Sequence, residues 1–539
     1  MKRNSIKILI VTVLVGIGSM SCNKNKIIAP NDQVTAAQVY GTPLGYKQSL
    51  AKVYAAFALT GSTGPSGSGD VQGIDEGTSD FFRLFWCAQQ LPTDETVLAW
   101  GDPGIPDFHN MTWSSSNPIL TGLYYRSLYQ ITLCNAFINQ SSDANLSANG
   151  LTGADATEVH HYVAEARFLR AYQYWVLMDL FGNPPFISGD VAVGSTIPKQ
   201  ISRAALFSYI ESELKAIDPL LVTAGKNEYG RADQAAAWAL LARIYLNAQV
   251  YTGTAKYTDA ITYSQKVIGA GYTLIPKYIN LMLADNNVNN TEAIFTINYD
   301  GAKTQGYGGT TFLKNAQLGG SMPSSLYGTS QKWGGIRVTK NLVNLFPTAV
   351  DTSLVNFPTN KNPDTRAEFW TRGQNLEIND VTSFTDGYAV NKFRNVTSSG
   401  TNGSDLTFSD IDMPLFRLSE MYLIYAEAVL RGGTGGDAGT ALTYVNKIRT
   451  RAYGSAVGNI TSGALTTDFI LDERARELYW EGFRRTDLVR YDKFTTASYV
   501  WPFKGGAKAG TSVGAYRNLY PIPDQDRAVN PNLKQNTGY

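Results

Sequence analysis

The sequence predicts a mostly α-helical protein in which helix pairs stack into a scaffold, with a long loop-rich stretch between two helical blocks. Three observations predict it. Apolar residues recur at helical spacing in two separate pairs of segments. Between those pairs, from about residue 281 to residue 414, the periodicity lapses into Asn, Gly, Pro and scattered aromatics. Finally, 539 residues with 43% hydrophobic content are ample for a large core, and 31 Tyr, 23 Phe and 9 Trp stand beside only 17% charged residues.

Taken in chain order, Lys2, Arg3 and Lys7 precede a short apolar run, Ile8 to Ile17, and the small residues Gly18 to Ser21 before Cys22. This is the layout of a secretory signal over residues 1–21. The run is shorter than the roughly 20 residues a membrane-spanning helix needs. A Cys closing this run resembles a bacterial lipobox, in which Cys22 would become the lipidated first residue, although Met20 stands where a smaller residue is more usual. A plain signal peptide that contains a Cys is the other reading. Residues 22–40, polar and carrying Pro30, read as a tether to a domain over 41–539. Gly61 to Gly69 is a Gly/Ser-rich loop, and Glu158 to Phe181 is a long helix stopped by Asn183-Pro184-Pro185.

Trp238, Leu241, Ala242 and Tyr245 fall at W-x₂-L-A-x₂-Y, the first-helix pattern of a tetratricopeptide repeat. Ala260, Ser264 and Val267 supply the second helix after a longer link than the standard repeat has. Ala293 to Tyr299 alternates like a strand. Leu418, Met421 and Tyr425, then Ala441, Val445 and Ile448, form a second pair across the turn Gly432 to Gly436. Leu465 to Phe483 is a further helix, capped near Thr466 and Thr467. The scaffold therefore covers about 41–280 and 415–490, with the loop-rich insertion at about 281–414. Helix pairs of this kind must stack to bury their apolar faces. A long irregular stretch in a compact protein is commonly functional.

Composition excludes several function classes. With 46 Lys+Arg against 45 Asp+Glu there is no field to collect nucleic acid. Three His and no Cys-x-x-Cys leave no zinc-ribbon or thioredoxin reading. No G-x-S-x-G, H-E-x-x-H or G-x-x-x-x-G-K-[ST] occurs, so no catalytic residue, metal or cofactor is assigned. His160 and His161 are adjacent, so on a helix they point about 100° apart and make a poor ligand pair. Asp75-Glu76, Asp94-Glu95 and Asp102 invite a glycosidase reading, which needs two carboxyls at a fixed separation; solvated loop acids are the plainer one. Asp472, Glu473, Glu477 and Glu481 alternate with Arg474, Arg476, Arg484 and Arg485 at spacings that make salt bridges along a helix. Cys87 and Cys134 sit among large apolar neighbours and read as buried free thiols.

The aromatics carry more information. A flat ring packs on the C–H face of a sugar while polar side chains bond its hydroxyl edge. Trp100, Tyr307 and Trp333 lie in Gly-rich, loop-like contexts, whereas Trp175, Trp238 and Trp480 follow helical spacing and read as core.

The chain resembles the SusD/RagB family of outer-membrane glycan-binding lipoproteins. The marks are Arg484-Arg485-Thr486-Asp487-Leu488-Val489-Arg490, the closing Tyr520-Pro521-Ile522-Pro523, Asn530-Pro531-Asn532-Leu533 and Gln535 to Tyr539, with Glu165 to Ala171, Gly230 to Asp233 and Pro414 to Leu418. Asp75-Glu76-Gly77, Leu91 to Glu95, Tyr307 to Thr310, Phe384 to Gly387 and Trp501 to Gly506 narrow the resemblance to the family's starch-binding founder. The resemblance implies a tetratricopeptide-like scaffold with a loop-rich ligand-binding face, and a protein that binds sugar without cleaving it. It implies a lipid-anchored position on the cell-surface side of the outer membrane, as a lid on a SusC-like TonB-dependent transporter. It also implies an arc of aromatics for an α-glucan (starch or malto-oligosaccharides), falling here on Trp100, Tyr307 and Trp333, with Asp75 and Arg83 as polar partners. Where the founder has Asn after the first arc Trp, this chain has Pro103, which passes that role to Asp102 or a backbone group. The same fold tuned to a β-glucan or host glycan is the alternative; an acid-pair glycosidase and a lid with no sugar contact are the rivals.

Overall fold

Local capping chemistry starts several of the helices. The computed structural model describes residues 39–187, 189, 196–346 and 362–539; residues 1–21, Cys22 and the tether up to residue 38 lie outside them. Helix α1 (Pro43–Ala55) begins on Thr42, whose hydroxyl accepts from the Gly45 N–H. Asp80 caps α2 (Phe81–Gln90), which leads into strand β1 (Thr96–Leu98). Asn117 caps α3 (Pro118–Gln140), with Pro at the first helical position where no N–H partner is needed. Then follow α4 (Gly153–Leu180), α5 (Arg203–Ile217), α6 (Gln234–Leu246) and α7 (Tyr257–Ile268). The middle of the chain holds β2 (Ala293–Ile297), α8 (Gly309–Ala316) and β3 (Ile336–Val338). β4 (Met413–Arg417), α9 (Leu418–Leu430), α10 (Ala438–Tyr453), α11 (Thr467–Leu478) and α12 (Arg484–Arg490) complete the scaffold.

The helices pack in succession, α3 on α4, α4 on α5, α6 on α7, α7 on α9 and α9 on α10. The mostly helical, stacked-pair architecture is thus observed. Leu241, Ala242, Tyr245, Ala260, Ser264 and Val267 are buried in the first pair, and Met421, Tyr425, Ala441, Val445 and Ile448 in the second. The expected strand forms as β2 and pairs antiparallel with β4, through a bulge. β1 pairs with β3 in the register Thr96 to Val338, Val97 to Arg337 and Leu98 to Ile336.

Three expectations need correction. Trp238 is half-buried rather than core, because its indole N–H reaches out to Asp218 (2.8 Å) and Lys266 lies over its ring. The helix expected to run to Phe483 stops at Leu478. Tyr479 is extended and Trp480 adopts φ +65°, which sets the two indoles Trp86 and Trp480 edge to face at 5.7 Å, with Trp86 Nε1 donating to the Trp480 carbonyl. The salt bridges expected along the helix form only in part: Glu473 pairs with Arg476 (2.7 Å), but Glu473, Glu477 and Glu481 are buried and find most of their partners off the helix.

That interior network ties the loop-rich stretch to the scaffold. Arg366, fully buried, meets Asp364 (2.7 Å), Glu473 (2.9 Å) and Glu477 (3.2 Å). Arg417 meets Glu292 (2.9 Å), Glu477 (2.5 Å) and Glu481 (2.7 Å), and Lys392 also pairs with Glu481 (2.7 Å). Burial alone would raise the Glu473 carboxyl, but Arg366, Arg476 and Arg449 outweigh it and hold it down to about 2. No helix of the described residues is long and apolar enough to cross a membrane.

Candidate functional site

Asp80 is the joint from which the site is built. Its buried carboxylate oxygen Oδ1 accepts from the Arg83 N–H (2.8 Å) in the first turn of α2 and from the Gly309 N–H (2.7 Å) at the start of α8. One oxygen therefore caps two helices that are far apart in sequence. Gly308 has to be glycine here, since a Cβ would stand 1.9 Å from the Asp80 Cβ. The joint fixes Tyr307, just before α8, against Arg83.

The other end of α8 fixes a second ring. Its last carbonyls and those just beyond accept from the loop that carries Trp333: Trp333 N–H to Asn315 (3.0 Å), Gly334 N–H to Leu318 (2.7 Å) and Gly335 N–H to Ala316 (2.8 Å). The bond from Ala99 N–H to the Gly335 carbonyl (3.0 Å) continues the β1–β3 pairing and brings in Trp100, whose indole N–H donates to the Trp333 carbonyl (3.2 Å). A Cβ on Gly335 would approach the Trp100 ring to 2.8 Å, so this close passage also requires glycine.

The three rings expected from the sequence are thereby brought together, each half-buried with surface still open to solvent. Trp100 and Trp333 have centroids 6.2 Å apart and planes tilted by 52°; Trp333 and Tyr307 are 6.3 Å apart at 50°. Neighbouring ring planes are thus turned by about 50° from one another, so the three rings do not form a flat platform. Phe312 backs Trp100 edge-on at 5.9 Å and Phe408 backs Tyr307 at 5.4 Å.

Arg83 has a double position. Its Nη1 donates to the carbonyls of Tyr307 (3.2 Å) and Gly77 (3.3 Å), and its guanidinium lies over Phe312 (4.8 Å) and Trp100 (5.9 Å). Burial pulls its pKa down, and the nearby Asp75, Asp80 and Asp102 counter that pull. Part of its hydrogen-bonding capacity is spent holding the Tyr307 loop. Asp75 is exposed; its Oδ2 accepts from the Thr78 N–H (3.0 Å) and hydroxyl (3.1 Å), and its other oxygen takes no hydrogen bond from a described residue. Asp102 is exposed beside Trp100 in the chain.

The remaining acids are committed elsewhere. Asp94 is buried in a two-point pair with Arg484 (2.7 and 2.6 Å) and accepts from the Tyr499 hydroxyl. Glu95 is buried, and desolvation pushes it up to about 8. Glu76 is buried and accepts from the Thr60 hydroxyl. His109 is buried between the Leu98 N–H and the Leu91 carbonyl, and burial lowers it to about 4. His160 is exposed on Asp143. Asp285 accepts from Ser398, and no group of three metal-ligating His, Cys, Asp or Glu occurs among the described residues. Cys87 and Cys134 are buried free thiols, as expected.

Sequence reasoning missed Asp80, Phe312 and Phe408. Asp80 was findable, being an Asp directly before an apolar helical run. Its second partner, 229 residues away, left no local trace.

Residues 361–539 match the model of the SusD family, and residues 108–246 match a model described as starch-binding, associating with the outer membrane. The chain is 36% identical to the starch-binding protein SusD of Bacteroides thetaiotaomicron over the full length of both. It is 24% identical to a SusD-like protein of Bacteroides ovatus, covering 72% of this chain and 68% of the relative. Among solved structures, surface glycan-binding protein A from Bacteroides thetaiotaomicron in complex with laminarihexaose aligns with TM-score 0.68 at 21% identity, covering 91% of this chain and 98% of that one. A SusD superfamily protein from Bacteroides vulgatus aligns with TM-score 0.67 at 20% identity, covering 92% and 99%.

Proposed function

The chain belongs to the SusD family, and from that premise we propose that it captures an α-glucan, starch or a malto-oligosaccharide, and does not cleave it. The observation that carries this reading is the contiguous, mutually tilted set of Trp100, Trp333 and Tyr307, with tilts of 52° and 50°. A helical glucan turns its sugar faces progressively, so each ring stacks on a different glucose. The free oxygen of Asp75, the carboxylate of Asp102 and the remaining guanidinium N–H groups of Arg83 bond the hydroxyls between them. The starch-binding relative at 36% identity supports starch over other glycans.

Cys22 anchors the protein to the outer membrane by its acyl chains, on the cell-surface side. There the glucan is handed to a SusC-like TonB-dependent transporter. Stacking on three faces offsets the ordering of the glucan only modestly, so single-site affinity is tens of micromolar to millimolar, about −4 to −6 kcal/mol. Weak binding suits a protein that must release its cargo, and a long polymer gains avidity from many copies.

Calorimetry with maltoheptaose and laminarihexaose tests the reading. Saturable heat with maltoheptaose is the expected result. Heat with laminarihexaose alone would overturn the α-glucan and leave the β-glucan alternative on the same fold. Release of reducing sugar from starch by the purified protein would overturn binding without cleavage.

A further inference from the structure

Beyond Trp333 the surface continues into a second, unassigned feature. The loop around Phe384 is held rigid: Asp386 accepts from the Asn379 and Asp380 N–H groups (2.9 Å each) and from Asn375 Nδ2 (2.9 Å), and the Gln374 side-chain amide donates to the Phe384 carbonyl (2.8 Å). The Phe384 ring is half-buried and lies on the backbone of Gly319, where a Cβ would meet the ring at 2.5 Å. It also borders Gly334, the residue after Trp333, with 3.9 Å from a Cβ built there to the ring. The ring packs against the buried cluster of Leu318, Met322, Tyr327, Trp370 and Ala389, and its remaining surface is not covered by any side chain from Gly319 or Gly334. Lys332 pins the same turn by donating to the carbonyls of Gly320 (3.1 Å) and Met322 (3.0 Å).

A polar group stands beside the ring. The Gln374 amide spends its N–H groups on the Phe384 and Gly387 carbonyls, while its oxygen Oε1, next to Gly320, takes no hydrogen bond from a described residue. An aromatic face with a fixed, unpaired acceptor at its edge is the pairing that a hexose requires: the face takes the C–H surface and the acceptor takes a hydroxyl.

We infer that Phe384 and Gln374 form an additional sugar subsite that extends the arc past Trp333, so that glucans long enough to pass Trp333 gain a contact that short ones do not reach. The inference rests on the proposed function, since it needs a glucan lying across Trp333.

The test is calorimetry of the purified protein with maltotriose and maltoheptaose. F384A is expected to weaken maltoheptaose about three- to tenfold, the range of one aromatic contact, and to leave maltotriose unchanged. F384Y, which keeps the face, is expected to restore maltoheptaose binding, and Q374A to weaken it by a smaller factor. Unchanged maltoheptaose affinity in F384A, or an equal loss for both lengths, would overturn the subsite while leaving the arc in place. Absence of binding by the unsubstituted protein would overturn the α-glucan reading and the subsite with it.

Discussion

Replacing Asp80 with alanine tests whether one carboxylate joins the two helices that carry the site. The substitution removes the cap on α2, the bond from Arg83 N–H at 2.8 Å, which contributes about 1 kcal/mol. It also leaves the buried Gly309 N–H, now bonded at 2.7 Å, without its acceptor, which costs about 1–3 kcal/mol. Burial holds this carboxyl above its usual range, so losing the charge returns part of that cost. The net expectation is a loss of about 1–3 kcal/mol, read from urea unfolding followed by Trp fluorescence. D80N keeps an oxygen that can accept both bonds and should stay within about 1 kcal/mol of the parent. Because the joint also fixes Tyr307 against Arg83, D80A should lose glucan affinity while D80N retains it. Unfolding of D80A within about 0.5 kcal/mol of the parent would refute the joint, and D80N falling as far as D80A would show that charge, not acceptance, is what matters.

The other predictions concern the interior. E477Q removes one anion shared by Arg366, Arg417 and Arg451 and should destabilise by about 3–5 kcal/mol in the same urea assay; a loss below about 1 kcal/mol would contradict the network. Glu473 is held down to about 2 when folded and titrates near its ordinary 4.5 when unfolded, so the unfolded chain binds more protons in that window. Its contribution is complete above about pH 4.5 and fades as pH falls toward 2; the acid limb of Tm against pH should be shallower in E473Q. Burial pushes Cys87 and Cys134 up to about 12, so peptide mapping after exposure to a disulfide reagent at pH 8 should find both unmodified in the native protein and both labelled after unfolding.

Much of the scaffold is legible in the sequence because helix periodicity is local. Trp238 to Tyr245 and Ala260 to Val267 declare their helices within a few turns. That Trp100, Tyr307 and Trp333 lie outside the helices was also legible, since a Trp or Tyr among glycines is poorly suited to a helix. The interior charges were not. Glu473 and Glu477 sit at intervals that suit pairs along the helix, and the partner they share, Arg366, lies 107 and 111 residues away in the loop-rich stretch. The end of α11 was hidden for a related reason: Trp480 takes a left-handed conformation to pack on Trp86, a tertiary gain that outweighs helix propensity. The division of labour in Arg83, part holding backbone carbonyls and part facing the surface, depends on Gly77 and Tyr307 meeting in space and has no counterpart in the local sequence.

The most direct test of glucan capture by the arc is retention of the W100A/W333A double variant on an amylopectin gel, with circular dichroism to check the fold. Both rings are half-buried at the surface, so the helical scaffold should be unchanged. Loss of retention with an unchanged spectrum is the expected result; retention equal to that of the unsubstituted protein would contradict the arc as the starch-binding surface.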